Sequence, residues 1–463
     1  MLKIGTDGFR GIIGEEFTKE NVVKIAQCTC NIIKKLKFKK QVVVGYDNRF
    51  MAEFYASWVS EVLVANGISV LLTDTSVPSP LVSFATKQLD NQIGLMITAS
   101  HNPYTYSGLK IFSREGKALE KDVENLYKKL LPKVKKVKTI DFDEALKQGK
   151  ITMFNYTKEY VKSIVKLLKI KKDFKSKVAF NVLNGSSLGV IEELKKQLKL
   201  DKLKLYETQR DVSFKLASPI PDQETLKDFR QEVINQKYDF AFATDGDGDR
   251  LAVIDDKGEF HDGNILCPLI YYFAYTQKNQ TGAFIKNCAF SHIADKMCER
   301  LGVKLIQTPV GFKHITKQFV ENNAVIGAEP AGCEVANHVY TKDGTVVFAL
   351  ILEIVEFYQK PLSQIINDFK NFLQYDSKYI ECSLKIKDRS VVIDRLQKQD
   401  IKFSKKIATK LTLDGFKYIF EDGSWALIRL SGTENLIRIV IEQATQKELD
   451  KILKEVKNFV LKV

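Results

Sequence analysis

The stretch QVVVGYDNRFMAEFYASWVSEVLVANGISVLLTD, residues 41–74, decides the fold class. QVVVGYD is short and β-branched, as a buried strand is. FYASWVSEVLVANG has helical apolar spacing and ends at Gly67, where a left-handed C-terminal cap belongs. ISVLLTD is the next strand, and IGLMITAS at 93–100 is another. Strand, helix and strand in alternation predict an α/β unit with mostly parallel pairing.

The same rhythm returns twice. A lysine-rich bridge at 132–150 leads to a helix, then to KVAFNVLNGSS, YDFAFATDGDGDR and LAVIDDKGEF. A third round holds GAFIKNCAF, SHIADKMCERLG, VKLIQTPVGF and NNAVIGAEP. From about 371 the pattern changes to alternating strands, YIECSLKIK and WALIRLSG. A final amphipathic helix opens on the capping box Thr445/Glu448. The expected architecture is α/β: three similar mixed-sheet domains (1–150, 151–258 and 259–370), then a smaller α+β domain (371–463), with an active-site cleft at the centre.

Composition excludes several classes. The 463 residues are 44% hydrophobic and 28% charged, ordinary for a folded chain. The net charge of +14 permits anionic ligands. Its lysines are scattered, as in KKLKFKK and KKLLPKVKKVK, and no helix-turn-helix or RNA-binding signature occurs, so no nucleic-acid partner is expected. Seven cysteines at 28, 30, 267, 288, 298, 333 and 382 form no CxxC pair, which disfavours a disulfide framework or structural zinc and fits a reducing cytoplasm. The start, MLKIGTDGFRG, has no apolar signal core. The longest apolar run, VVFALILEIV from Val346, is too short to span a membrane and reads as a buried helix.

Four loops carry chemistry. In TASHNPYTYSGLK, Thr98 to Lys110, Ser100 lies at the C-terminal end of a strand, where open α/β sheets bind ligands. Asn102-Pro103 forces a turn that exposes its hydroxyl, with His101 and Lys110 available for proton transfer or positive charge. Taken alone, the dipeptide also fits a turn with no chemistry. In TDGDGDR, Thr244 to Arg250, glycines let Asp245, Asp247 and Asp249 converge on one point. Three close carboxylates repel one another unless a hard divalent cation joins them. In IGAEPAGCEV, Ile326 to Val335, the single Glu329 among small residues suits hydroxyl recognition, although a loop glutamate is commonplace. In IRLSGTENLIR, Ile428 to Arg438, the hydroxyls and amides of Ser431, Gly432 and Thr433 between Arg429 and Arg438 compose a phosphate nest or a polar turn. Arg10 in GTDGFRG and Arg49 in VGYDNR are placed to reach toward Ser100.

Together these loops resemble the α-D-phosphohexomutase superfamily of phosphoglucomutases, phosphomannomutases and phosphoglucosamine mutases, in order and spacing, over essentially the whole chain. TASHNP resembles its phosphoserine loop, DGDGDR its magnesium loop, GAEPAG its sugar loop and RLSGTENLIR its phosphate loop, while TPVGFK at 308–313 is also family-like. The resemblance implies a cytoplasmic phosphohexomutase that interconverts hexose 1- and 6-phosphates through phosphorylated Ser100 and a hexose 1,6-bisphosphate. It implies Mg2+ on Ser100, Asp245, Asp247 and Asp249; His101, Lys110, Arg10, Arg49 and Arg250 as catalytic groups; and Lys313, Glu329, Ala331, Arg429, Ser431, Gly432, Thr433 and Arg438 as substrate contacts. Monomer and dimer both remain open.

The chain also departs from the family. Ala331 stands where the sugar loop usually has serine, which removes a hydrogen bond worth about 0.5–1.5 kcal/mol. Leu430 replaces a common proline. Phe312-Lys313 and Pro330 favour glucose or mannose phosphate over glucosamine phosphate, because phosphoglucosamine mutases tend to carry Asp-Arg and glutamine there. A non-catalytic sugar-phosphate binder would leave the nucleophile unexplained, and an aspartate-nucleophile phosphatase would leave TASHNP unexplained.

Overall fold

The computed structural model describes residues 2, 4–5, 7–386, 388–430 and 436–461. Among them the strands form four sheets. The first runs Gly8–Ile12, Tyr106–Phe112, Gly94–Ile97, Gln41–Tyr46, Ser69–Thr73, Ile151–Phe154. Its last four strands are parallel and its first two add antiparallel. Val42, Val43 and Val44 are all buried because helices cover both faces of a parallel sheet. Helix Ala52–Ala65 is followed by Gly67 at φ +78°, the left-handed residue expected at its end.

The second sheet runs Phe260–His261, Ala252–Asp255, Phe240–Ala243, Val178–Asn181, Leu203–Tyr206, and the third Leu305–Thr308, Phe284–Asn287, Ile326–Glu329, Gly332–Val335. Each has a parallel centre and an antiparallel edge. The fourth is wholly antiparallel: Lys378–Lys385, Leu436–Gln443, Trp425–Leu430, Phe416–Phe420, Ile407–Leu411. Helix Gln446–Leu461 packs on it, opened by the reciprocal Thr445/Glu448 bonds of a capping box. The fold is thus three mixed-sheet α/β units and a smaller α+β unit.

Two elements cross the boundaries drawn from sequence. Strand Ile151–Phe154 pairs with Ser69–Thr73, so the first sheet reaches past residue 150. Helix Leu362–Leu373 runs past 370. The lysine-rich bridge hides the first from a sequence reading, because it looks like a linker while returning the chain to the sheet it left.

One apolar core joins the first three units. Val43, Leu81, Val82 and Met96 belong to the same cluster as Phe180, Phe242, Phe348 and Ile351. Its pillar is helix Gly344–Tyr358, the expected buried helix, capped by Asp343, which accepts from the amides of Thr345 and Val346. Its two buried acids are met by backbone amides, as a buried polar group requires: Glu356 Oε1 accepts from Lys175 N at 2.7 Å and Ser176 N at 2.6 Å, and Glu353 Oε1 accepts from Ile170 N at 3.1 Å. The fourth unit keeps its own core, including Tyr418, Ile437, Ile439 and Ile452. It meets the third through a small seam of Cys288 and Ala289 against Trp425, Leu427 and Val440. No helix among the described residues is long and apolar enough to cross a membrane.

Candidate active site

The first three loops leave the C-terminal ends of parallel strands: Ser100 after Gly94–Ile97, Asp245 after Phe240–Ala243, and Glu329 at the end of Ile326–Glu329. Ser100 sits at φ 54°, a left-handed conformation rare for a side-chain-bearing residue. Its backbone is fixed by two groups. Ser100 N donates to Thr98 Oγ1 at 2.8 Å, and Arg49 Nη2 donates to Ser100 O at 2.7 Å. Its Oγ donates to Asp245 Oδ2 at 2.6 Å, 145 residues away in sequence.

The three aspartates converge as their spacing predicts, with ligand oxygens within 4.8 Å of one another. Gly246 is required here, since a Cβ on it would lie 2.9 Å from Ser100 O. Asp245 Oδ1 accepts from the amides of Asp249 and Arg250, both at 3.1 Å. Lys110 Nζ lies between the other two, 2.7 Å from Asp247 Oδ2 and 2.9 Å from Asp249 Oδ2. Burial opposes its charge, yet Asp247 and Asp249 outweigh burial and hold the ammonium above its usual range. The same pairing holds Asp247 and Asp249 below the usual carboxylate range despite burial. Asp245 has only the Arg250 guanidinium, 3.9 Å away; burial and then its two neighbours outweigh it and push the Asp245 carboxyl up.

These residues fit a divalent cation. The Oδ1 atoms of Asp247 and Asp249 are buried without a hydrogen-bond partner among the described residues. Hard oxygen donors left bare in one place are what a cation such as Mg2+ takes.

His101 Nδ1 lies 3.3 Å from Ser100 Oγ, and its Nε2 lies 3.2 Å from Arg250 Nη2. Burial, then Arg250, Arg10 and Lys342, push this imidazole far below its usual range, so it is neutral. Guanidinium only donates, so Nε2 accepts and Nδ1 carries the proton facing Ser100. Arg10 Nη1 donates to Asn102 Oδ1 at 2.8 Å. Arg49 is fully buried and faces the loop backbone, donating to the carbonyls of Ser100, Asn102, Pro103 and Tyr106 at 2.7–2.9 Å.

The Glu329 loop docks on the aspartate loop. Leu251 N donates to Ala331 O at 3.1 Å, and a Cβ on Gly332 would lie 2.9 Å from Asp249 O. Glu329 Oε1 accepts from Gly311 N at 3.2 Å and Asn287 Nδ2 at 3.3 Å. The remaining named residues stand apart from the triad. Lys313 Nζ pairs with Glu124 at 3.0 Å. Arg429 Nε pairs with Asp414 at 2.8 Å, and Asp414 Oδ2 also accepts from Val310 N at 3.0 Å. Arg438 lies opposite Arg429 on the next strand, near Glu381 and Ser383. Ser431, Gly432 and Thr433 lie outside the described residues.

Sequence reasoning missed three neighbours. Ser79 donates to Asp247 Oδ2 at 2.5 Å and opens a helix after Pro78. Lys342 Nζ is 3.6 Å from Asp249 Oδ1; its one signal is its place just before the Asp343 cap of the buried helix. Asp47, in VGYDNR, is fully buried 3.4 Å from Arg49 Nε.

Models described as phosphoglucomutase/phosphomannomutase alpha/beta/alpha domains I, II and III match residues 1–138, 156–258 and 262–372, and the C-terminal domain model matches 389–459. A phosphoglucomutase/phosphomannomutase of Thermococcus kodakarensis is 30% identical over 96% of this chain and 95% of its own. A provisionally named phosphoglucosamine mutase of Methanosphaera stadtmanae is 29% identical over 97% and 96%. The crystal structure of a provisionally named phosphomannomutase from Thermus thermophilus superposes with a TM-score of 0.88 at 25% identity, covering 99% of both chains. A chain matched over nearly all its length by the four domains, in order, belongs to the phosphoglucomutase/phosphomannomutase family of the α-D-phosphohexomutase superfamily, whose members are intramolecular phosphotransferases.

Proposed function

We propose that the protein interconverts hexose 1-phosphate and hexose 6-phosphate, with glucose or mannose as the sugar and Ser100 as the phosphoryl carrier. The observation that carries this reading is the Ser100 Oγ to Asp245 Oδ2 bond of 2.6 Å, which sets a strained serine against the acidic triad. A sugar monophosphate presents its free hydroxyl oxygen to the phosphorus of phosphorylated Ser100. The P–O bond to Ser100 breaks, the serine oxygen keeps the electron pair and takes up a proton, and the sugar hydroxyl gives up its own, so Ser100 is left as its hydroxyl. The product is a hexose 1,6-bisphosphate; after it turns over in the site, Ser100 takes the other phosphate and a monophosphate leaves. On that return Ser100 Oγ gives up its proton, and Asp245 Oδ2 already accepts that hydrogen. His101 Nδ1–H and Arg250 supply donors beside the transferring oxygens. Lys110, held charged by two carboxylates, acts as a fixed cation rather than a proton carrier. Mg2+ held by Asp245, Asp247, Asp249 and phosphorylated Ser100 would offset charge on the transferring group. Glu329 and the Arg429 to Thr433 loop, with Arg438, are assigned to the sugar and the distal phosphate; Lys313 joins them only by releasing Glu124. Seven unpaired thiols suit a reducing cytoplasm.

Glucosamine phosphate is the second reading, favoured by the relatives named phosphoglucosamine mutase. A coupled assay on glucose, mannose and glucosamine 1-phosphates, each primed with its bisphosphate, separates the two. Turnover highest on glucose or mannose supports the first reading, and a tenfold or greater preference for glucosamine moves the assignment. No turnover on any of the three would sink both.

A further inference from the structure

The segment Asp211 to Ala217 of the second domain has a backbone its sequence does not call for. Phe214, Lys215 and Leu216 take successive φ values of 46°, 57° and 60°, three left-handed residues without a glycine. The turn is over-determined rather than loose. Asp211 Oδ1 accepts from Ser213 N at 2.9 Å and Ser213 Oγ at 2.6 Å, and Asp211 Oδ2 accepts from Lys215 N at 2.8 Å. Leu216 gains nothing from this conformation, since 72% of it is exposed. What the turn buries is Phe214, at 4% exposure.

Phe214 lies against both catalytic loops. The Arg49 guanidinium carbon is 5.2 Å from its ring centroid. That guanidinium gathers four carbonyls of the Ser100 loop. The ring edge would lie 3.6 Å from a Cβ on Gly246, inside the metal loop. Next to it, Ala217 O accepts from Tyr104 N at 3.2 Å, a backbone bond from the turn to the Ser100 loop. Arg210 also pairs with Glu53 of the first domain at 2.8 Å.

We propose that Phe214 is a positioning residue for phosphoryl transfer: its ring packs against the Arg49 guanidinium and so fixes the height of Ser100 against Asp245. A strained turn persists at a site when the arrangement it enforces matters there. A planar cation with its donors committed at its edge is held in place by an aromatic face. The proposal rests on the reading of Ser100 as the phosphoryl carrier.

The test compares Phe214→Ala and Phe214→Leu with Leu216→Gly, an exposed position of the same turn where glycine relieves the backbone. Intact-mass time courses follow the phosphate gained by Ser100 from glucose 1,6-bisphosphate, alongside steady-state kcat and KM on glucose 1-phosphate. For Phe214→Ala we expect phosphate gain and kcat slowed about tenfold or more, with KM within about twofold, because a small misplacement of the reacting atom falls on the chemical step. Phe214→Leu should fall between, and Leu216→Gly should match the wild type. A Phe214→Ala protein that melts earlier but gains phosphate at the wild-type rate overturns the proposal. If that variant does not fold, Phe214→Leu decides: a slowing of about threefold or more supports it, and a wild-type rate overturns it. A wild-type chain that gains no phosphate at Ser100 overturns the carrier reading and this one with it, whereas equal labelling of wild type and variant overturns the role of Phe214 alone.

Discussion

Two junctions in this molecule are built in opposite ways. Where the first domain meets the second, Ser100 touches Asp245, Lys110 bridges Asp247 and Asp249, and one apolar cluster takes residues from both domains. Where the fourth domain meets the third, a handful of apolar residues surround buried charges. Glu442 there accepts from Ser291 Oγ, His292 N, Ser377 Oγ and Trp425 Nε1 at 2.5–2.9 Å. Lys417 lies 3.7 Å above the Trp425 ring and donates to Cys288 O. Under the proposed function, the first junction assembles its reacting groups in advance, and the second holds a recognition element through polar contacts. Phosphoryl transfer depends on fixed positioning and electrostatics, while release of a dianion needs a grip that lets go.

Removing the reacting oxygen should have the largest effect. Ser100→Ala should lower turnover on the order of 10⁴-fold or more with little change in melting, since alanine meets the same left-handed backbone. Melting lowered by many degrees would mean that Ser100 is structural. Next, Asp247→Asn should cut turnover by about 10²-fold and move the magnesium titration to higher concentration, because it removes a bare donor oxygen and a partner of Lys110. An unchanged magnesium titration would count against the triad as the metal site.

At the other junction the expected signature differs. Arg429→Ala should raise KM for the sugar phosphate about tenfold and leave the rate of Ser100 phosphorylation within about threefold. A loss confined to kcat would erase the contrast between the two junctions. The smallest effect concerns Lys417. Burial, then the neighbouring Lys286, bring its ammonium from the usual 10.5 down to about 7, against the opposing pull of Asp295, Cys288 and Glu442. Between those values the unfolded chain binds the proton that the folded chain refuses, so stability rises with pH from 7 toward 10 and the gain is lost as pH falls. Melting of the wild type should therefore gain on Lys417→Met across that range, and a constant difference between them would contradict the assignment.

The same contrast explains what the sequence reveals. The α/β rhythm, the buried helix from Gly344 and the capping box at Thr445 are local patterns, and the structure has each of them. The aspartate triad was legible because carboxylates at spacing two on glycines have few other uses. Lys342 was not, because one lysine among 71 basic residues, marked only by its place before the Asp343 cap, does not point to Asp249 until the fold sets it there. Phe214 was hidden for the same reason: the turn that buries it is written in backbone angles, not in glycines. Nor did VGYDNR show that Arg49 would spend its donors on loop carbonyls, since that depends on where residues 51 to 57 positions further along the chain fold back.

The central claim is that Ser100 carries the phosphate in a site assembled before substrate arrives. The most direct measurement is site-resolved mass analysis of the purified wild-type protein before and after addition of excess glucose 1-phosphate. The account predicts at most one phosphate per chain, located on Ser100, that passes to the sugar as a bisphosphate. Phosphate on any other residue, or an isotope-labelled phosphate on Ser100 that does not exchange into the sugar while turnover proceeds, would contradict it.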